Sequence, residues 1–359
     1  MLDLLLHSQQ KRRSLTLAAA LALPFAAMCQ PTTYSAGRVI VDSVEVIRLS
    51  SVSGAHKTEV SILPSAGNMA YEMMVNGKNI FSGLAAPSAP LKGRRAMTGN
   101  PLLAPWANRL DQQGFWANGK HYVFNPELGN VRSDQHNHPM HGLLSGSEWE
   151  VVAVRSDRRG AEVTSRFEFW KYPNLMAQFP FAHTIVMTYR LQDGALEVIT
   201  RVENHSKEPM PLALGHHPFF QLYDAPRDEW RVHIPARDHF VVTPQLIPTG
   251  ERKPVELPDP LSLAGRQLND AFGNLVRDAS GRAEFWVEGK REKISVIFGP
   301  KYPVAVVWAP PNRGLICFEP MAAVTNGYNL AHAGLYNELQ SVPPGGVWQE
   351  SFWIKPTGF

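Results

Sequence analysis

Between residues 184 and 203 the chain alternates apolar and polar positions almost without a break. Ile185, Met187, Tyr189 and Leu191 fall on one face, and Thr184, Val186, Thr188 and Arg190 on the other. After Asp193-Gly194, Leu196, Val198, Thr200 and Val202 alternate with Glu197, Ile199, Arg201 and Glu203. A period of two with one apolar face predicts a half-buried strand, and the Asp-Gly pair predicts a tight turn, so this segment reads as an antiparallel hairpin. Val39 to Leu49 alternates loosely and reads as strand. Asn76-Gly77 and Asn118-Gly119 sit between apolar runs and predict two more hairpins. Later strands are expected at Ile294–Phe298, Val304–Trp308, Leu315–Phe318 and Val347–Ile354. Helical patterns are short, and heptads and internal repeats are absent. The 27 glycines and 29 prolines punctuate the chain too densely for long helices. The pattern predicts one large all-β, antiparallel domain over residues 35–359, built as a sandwich of large sheets.

Residues 1–30 have a different character. Lys11-Arg12-Arg13 precedes an apolar run from Leu15 to Met28 that contains Pro24. A basic start followed by a short apolar core predicts a secretory signal peptide over 1–30, hence an exported, periplasmic or extracellular protein. Cleavage is expected near Ala27–Gln30. Arg12-Arg13-Ser14-Leu15 weakly suggests a twin-arginine signal, and Cys29 is a candidate for lipid attachment, although Met28 is a poor match for the small residue expected before it. No apolar stretch reaches the ~18 residues of a spanning helix.

Charge and cysteine content remove whole classes. With 35 basic and 32 acidic residues the net charge is +3, and no basic stripe points to nucleic acid. Lys92, Arg94 and Arg95 form the nearest thing to a basic run. Two cysteines, Cys29 and Cys317, exclude a disulfide framework and a zinc site made of cysteines alone. There is no Gly-rich phosphate loop and no Gly-x-Ser-x-Gly elbow.

Candidate chemistry gathers in three places: His136-Asn137-His138-Pro139-Met140-His141-Gly142, Gly215-His216-His217-Pro218-Phe219-Phe220, and Phe318-Glu319-Pro320. Five of the 13 histidines lie in the first two. Taken singly, each is an ordinary loop histidine or a carboxylate at a strand end. Together they allow a metal site from His136, His138, His141 and Glu319, or metal-free acid–base catalysis by a carboxylate facing an imidazole. If the 215–220 segment is extended, His216 and His217 point to opposite faces and only one can enter a site.

The order of motifs resembles the aldose 1-epimerase (galactose mutarotase) family. Asn100-Pro101-Leu102-Leu103-Ala104-Pro105-Trp106-Ala107-Asn108-Arg109-Leu110 is similar to the family's early G-N-P-x-L-x-P-x-x-N-R-I segment, and Asn118-Gly119-Lys120 follows as its hairpin turn. Met140-His141-Gly142 resembles L-H-G, and Gly215 to Phe220 resembles G-x-H-P-Y-F. Phe318-Glu319-Pro320 resembles the late strand carrying the family's glutamate, and Pro344-Gly345-Gly346 resembles the closing L-x-P-G-E, with Gly346 where an acidic residue is common. The resemblance implies a β-supersandwich with the site in a cleft on one face, and interconversion of the α and β anomers of a free aldose such as galactose or glucose without a cofactor. It implies Glu319 as general base, His217 as general acid, His141 as a sugar-binding group that polarises the ring oxygen, and Arg109 as a ligand of sugar hydroxyls. Leu268-Asn269-Asp270-Ala271-Phe272 resembles L-D-D-x-F, with Asn269 where the sugar-binding Asp is usual and Asp270 beside it. Two other functions share these residues: a catalytically silent carbohydrate-binding protein of the same fold, and a sugar-phosphate 1-epimerase using Arg94, Arg95 and Arg109 at the mouth of the site.

Overall fold

The computed structural model describes residues 31–83, 86–88 and 98–359. The expectations for residues 1–30, and for Lys92, Arg94 and Arg95, lie outside the described residues. Pro31 to Phe359 make up one unit.

Tight turns organise the strands. Asn76-Gly77, Asn118-Gly119 and Asp193-Gly194 each place two consecutive residues at positive φ, the geometry that matches the twist of flanking antiparallel strands. The central hairpin spans His183–Gln192 and Ala195–Asn204 with Leu191 opposite Leu196, and Ile185, Met187, Tyr189, Leu191, Leu196, Val198 and Val202 are all buried. The loose alternation around Val39–Leu49 resolves into two strands, Thr33–Val41 and Val44–Ser53. Asp42-Ser43 turns the chain with φ of 50° and 63°. A two-residue turn without glycine leaves no strong mark in a sequence.

Three sheets carry the fold. The N-terminal one has five strands in chain order, from Thr33–Val41 to Lys78–Asn79. A nine-stranded sheet has the central hairpin in one half and Val347–Thr357 between Lys293–Phe298 and Ala195–Asn204. An eight-stranded sheet runs from Pro248–Pro254 through Ala236–Val242, Leu268–Leu275, Val304–Ala309 and Ile316–Met321 to Gly215–His216 and Leu102–Leu103. Phe219–Phe220 also pairs with Ile316–Met321. All these named pairings are antiparallel.

The eight- and nine-stranded sheets meet face to face. Phe318 packs on Phe285 at 5.8 Å between ring centroids, and His216 on Phe352 at 4.9 Å. One continuous apolar core joins all three sheets. Among the described residues, helix is confined to short pieces such as Pro173–Met176 and Gly327–His332. Among the described residues no helix is long and apolar enough to cross a membrane.

Candidate active site

The eight-stranded sheet brings the second and third motifs together by register. Gly215 lies opposite Met321, and Phe219 opposite Cys317. Pro218 has no N–H to continue the ladder, but the register is the same on both sides of it, so His217 falls opposite Glu319. Side chains on one face of paired strands stand in rows. His217, Glu319, Val306 and Ala271 make one row. The next row holds Phe219, Cys317, Trp308 and Asn269. His217 Nε2 is 3.3 Å from Glu319 Oε1, and the His217 ring stacks on Phe219 at 4.4 Å.

Alternation sends His216 the other way. Its Nε2 is 2.9 Å from Thr200 Oγ1 on the nine-stranded sheet, and it is fully buried between the sheets. It is His217 that faces Glu319.

His141 arrives on a loop strapped against Ala104. The backbone is left-handed at both His141 and Gly142, with φ of 62° and 65°. A Cβ on Gly142 would sit 2.0 Å from the Ala104 carbonyl oxygen, so only glycine permits this approach. A non-glycine residue held at positive φ is strained and needs support from its surroundings. Here His141 N–H donates to the Asn108 carbonyl at 2.9 Å, and Asn108 N–H donates to His141 Nδ1 at 3.3 Å. With Nδ1 accepting, the proton of the neutral ring belongs on Nε2. The His141 and His217 rings meet edge to face at 5.7 Å.

Arg109 is fixed from two sides. Its Nε donates to Asp134 Oδ2 at 2.7 Å and its Nη1 to Asn108 Oδ1 at 2.9 Å. Asp134 also accepts the backbone N–H groups of His136 and His138, each at 2.9 Å. Burial alone would raise its pKa, but the His138 N–H, Arg109 and the His136 N–H together hold it down to about 2. His136 and His138 therefore sit in a turn wound around Asp134. Among the described residues no three His, Cys, Asp or Glu side chains converge as a metal-binding group.

Burial dominates the titration of the central pair. It pushes the Glu319 carboxyl well above the usual range, with Arg109 pulling the other way. It pushes His217 down to about 3, and the nearby positive charge of Arg132 acts in the same direction. His141 also lies well below its usual value, through burial first and then the charges of His217, Arg132 and Arg109. Glu319 Oε2 and His217 Nδ1 are buried without a hydrogen-bond partner among the described residues.

The substrate-binding candidates separate. Asn269 is half-buried in the Trp308 row, on the Glu319 face. Asp270 is exposed and, by alternation, lies on the opposite face; its Oδ2 accepts the Asn269 N–H at 3.1 Å. Of the aromatics that could flank a sugar, Trp106 and Phe220 are fully buried in the core, whereas Phe219 and Trp308 line the site face. Cys317, between Phe219 and Trp308, is buried, and burial first, then Glu319, pushes its thiol pKa well up.

Two residues of this site stand outside the sequence motifs: Asp134 and Arg132. Their spacing is the one available signal. Residues two apart on an extended segment share a face, and both lie just before the histidine-rich turn.

The fold is thus a large all-β sandwich that sets a buried carboxylate against an imidazole, with a second histidine and a guanidinium alongside. A sequence model of the family described as aldose 1-epimerase matches residues 74–355, and the chain belongs to that family. Solved structures agree on the fold. A galactose mutarotase-like protein from Clostridium acetobutylicum superposes with a TM-score of 0.79 at 22% identity, over 91% of this chain and 99% of its own. Galactose 1-epimerase from Lactobacillus acidophilus gives 0.68 at 14% identity, over 91% and 99%. A putative aldose 1-epimerase from Escherichia coli K12 gives 0.65 at 18% identity, over 91% and 100%. The supersandwich expected from the sequence is therefore the fold of this chain.

Proposed function

We propose that the protein is an aldose 1-epimerase, interconverting the anomers of an aldose by general acid–base catalysis. The observation that carries this reading is the 3.3 Å approach of His217 Nε2 to Glu319 Oε1 on one sheet face, with His141 and Arg109 beside them. Glu319 takes the proton of the anomeric hydroxyl O1. His217 gives a proton to the ring oxygen O5 as the C1–O5 bond breaks. The O1–H electron pair becomes the second bond of the aldehyde C=O. Rotation about C1–C2 and the reverse steps on the other carbonyl face produce the other anomer. Proton gain and loss balance, so no further reactant enters.

The pair needs one proton between them. Burial favours the neutral arrangement, with the proton on Glu319, over the carboxylate–imidazolium arrangement. Moving that proton across 3.3 Å leaves the net charge unchanged, which suits a low-dielectric site. The Arg109 charge favours the carboxylate form of Glu319, and the His141 Nε2–H supplies a fixed donor for O5.

The test is polarimetry of freshly dissolved α-D-glucose and α-D-galactose. Acceleration by the protein that disappears in Glu319→Gln, while sugar binding by calorimetry survives, supports the reading. Full activity in that variant would sink it. Sugar binding without acceleration by the unaltered protein would leave a carbohydrate-binding protein of the same fold. We also propose that the protein is exported, on the basic-then-apolar pattern of residues 1–30; unprocessed, cytoplasmic protein after fractionation would refute this.

A further inference from the structure

Arg132 is the site's second guanidinium. The segment Arg132–Asp134 runs antiparallel to His138–Met140: Met140 N–H donates to the Arg132 carbonyl at 2.7 Å, and Ser133 bridges Pro139. Met140 in turn bridges Arg109 on its other side. Arg109, Met140 and Arg132 therefore form one cross-strand row, and their side chains share a face. The backbones of the two arginines stand two strand spacings apart, about 10 Å.

Their electrostatic situations differ. Arg109 is neutralised by Asp134, whose carboxylate is also occupied by two backbone N–H groups and lies 3.5 Å from His138 Nδ1. Arg132 is half-buried, and among the described residues its guanidinium has no carboxylate or carbonyl partner. A guanidinium half-withdrawn from water without a counter-ion is costly unless a ligand supplies one. Its position along the site is also defined. Its charge is felt by His217 and, together with that of Arg109, by His141, while Arg109 is the cation felt by Glu319.

The proposed function, on which this inference rests, puts O1 at Glu319 and O5 at His217. Continuing around the ring in that direction leads to C5 and its exocyclic carbon. We propose that Arg132 is a specificity-determining residue that binds an anionic group on C6, so that the preferred substrate is an aldose bearing a carboxylate or a phosphate there. A guanidinium fork can pair with either group through two parallel hydrogen bonds.

The experiment compares anomer exchange, by NMR or polarimetry, for glucose, galactose, glucuronate, galacturonate and glucose 6-phosphate. The unaltered protein should show kcat/KM at least about tenfold higher for an anionic aldose than for its neutral counterpart, an advantage that shrinks as salt rises. Uronates against glucose 6-phosphate identify which anion is meant. Arg132→Met should lower the anionic-to-neutral ratio about tenfold to a hundredfold, and Arg132→Lys should keep part of it. Equal or better turnover of neutral hexoses, with a salt-independent ratio, would overturn the assignment and leave the epimerase reading standing. The wild-type comparison decides this even where Arg132→Met does not fold. If no aldose is accelerated, the epimerase reading fails, and this proposal fails with it.

Discussion

His216 and His217 are consecutive, both are buried, and burial drives both down to about 3. They belong to different regions. His216 stands in the interior between the sheets, 2.9 Å from the Thr200 hydroxyl and packed on Phe352. His217 stands on the site face, 3.3 Å from a carboxyl group whose other oxygen has no partner among the described residues. In the first region one ring nitrogen meets a neutral hydroxyl, Nδ1 has no partner among the described residues, and the ring is part of the packing. In the second, two titratable groups face each other, each with an unpartnered atom, in a place that disfavours their charges. Buried, under-satisfied polar groups cost stability, and sites that do chemistry commonly carry that cost.

Substitutions in the two regions should differ in what they change. Glu319→Gln and His217→Gln should each lower kcat for anomer exchange about 10²- to 10⁴-fold, the usual contribution of a general acid or base. Their unfolding midpoints should stay within a few degrees of wild type, because neither change empties a packed volume. His216→Ala should do the reverse. It removes an inter-sheet hydrogen bond and the ring packed on Phe352, costing about 2–4 kcal/mol, seen as a lower denaturation midpoint, with activity lost only as the fold is lost. Should His216→Ala destroy kcat in fully folded protein, the separation of the regions would be wrong.

Acid should expose what the two histidines share. Each takes up a proton in the unfolded chain near pH 6.5 but resists it in the folded protein down to about 3. Their folded values are depressed, so the unfolded state binds more protons as pH falls. Their stabilising contribution is complete above about pH 6.5 and declines through that window, by up to about 1.4 kcal/mol per group per pH unit. Glu319, with a raised value, acts oppositely: its contribution grows as pH falls toward its unfolded value. Urea denaturation between about pH 7 and 4 should show falling stability, and His216→Leu should flatten the slope by one proton. An unchanged slope would show that His216 is protonated in the folded state.

The features legible in the chain are the local ones. Period-two alternation and Asx-Gly turns depend only on near neighbours, so the hairpin of Ile185 to Val202 and the turns at Asn76 and Asn118 are visible in the sequence. The turn at Asp42-Ser43 is not, because its conformation is imposed by strand pairing rather than by glycine. The opposition of His216 and His217 follows from alternation alone. Which of them faces Glu319 does not, since that depends on the register across Pro218, between segments about a hundred residues apart. Alternation sends Asn269 and Asp270 to opposite faces without saying which face is which; their strand's pairing with Val304–Ala309 puts Asn269 on the Glu319 face and exposes Asp270 on the other. Asp134 and Arg132 show only their spacing in the sequence, because the significance of Arg132 comes from a three-segment row centred on Met140 and that of Asp134 from its contact with Arg109, and no local pattern encodes either.

The smallest effect tests whether the site face is organised from outside the central pair. Asp134 touches neither Glu319 nor His217 by any hydrogen bond among the described residues; it acts through Arg109 and through the turn that carries His138. Asp134→Asn is nearly isosteric and retains an acceptor oxygen, so the turn can survive. The substitution removes the charge that neutralises Arg109. The freed Arg109 charge would further favour the carboxylate form of Glu319, while the guanidinium loses the partner that aims it. The expected outcome is a rise in KM of about tenfold, the value of one charge-assisted hydrogen bond, with a smaller change in kcat. The acidic limb of the kcat/KM profile should move to lower pH, because the carboxylate is easier to form beside an unneutralised cation. A merely structural role for Asp134 would lower the amount of folded enzyme without moving that limb. The pH profile of Asp134→Asn therefore distinguishes a residue that positions the sugar-binding guanidinium from one that only closes a turn.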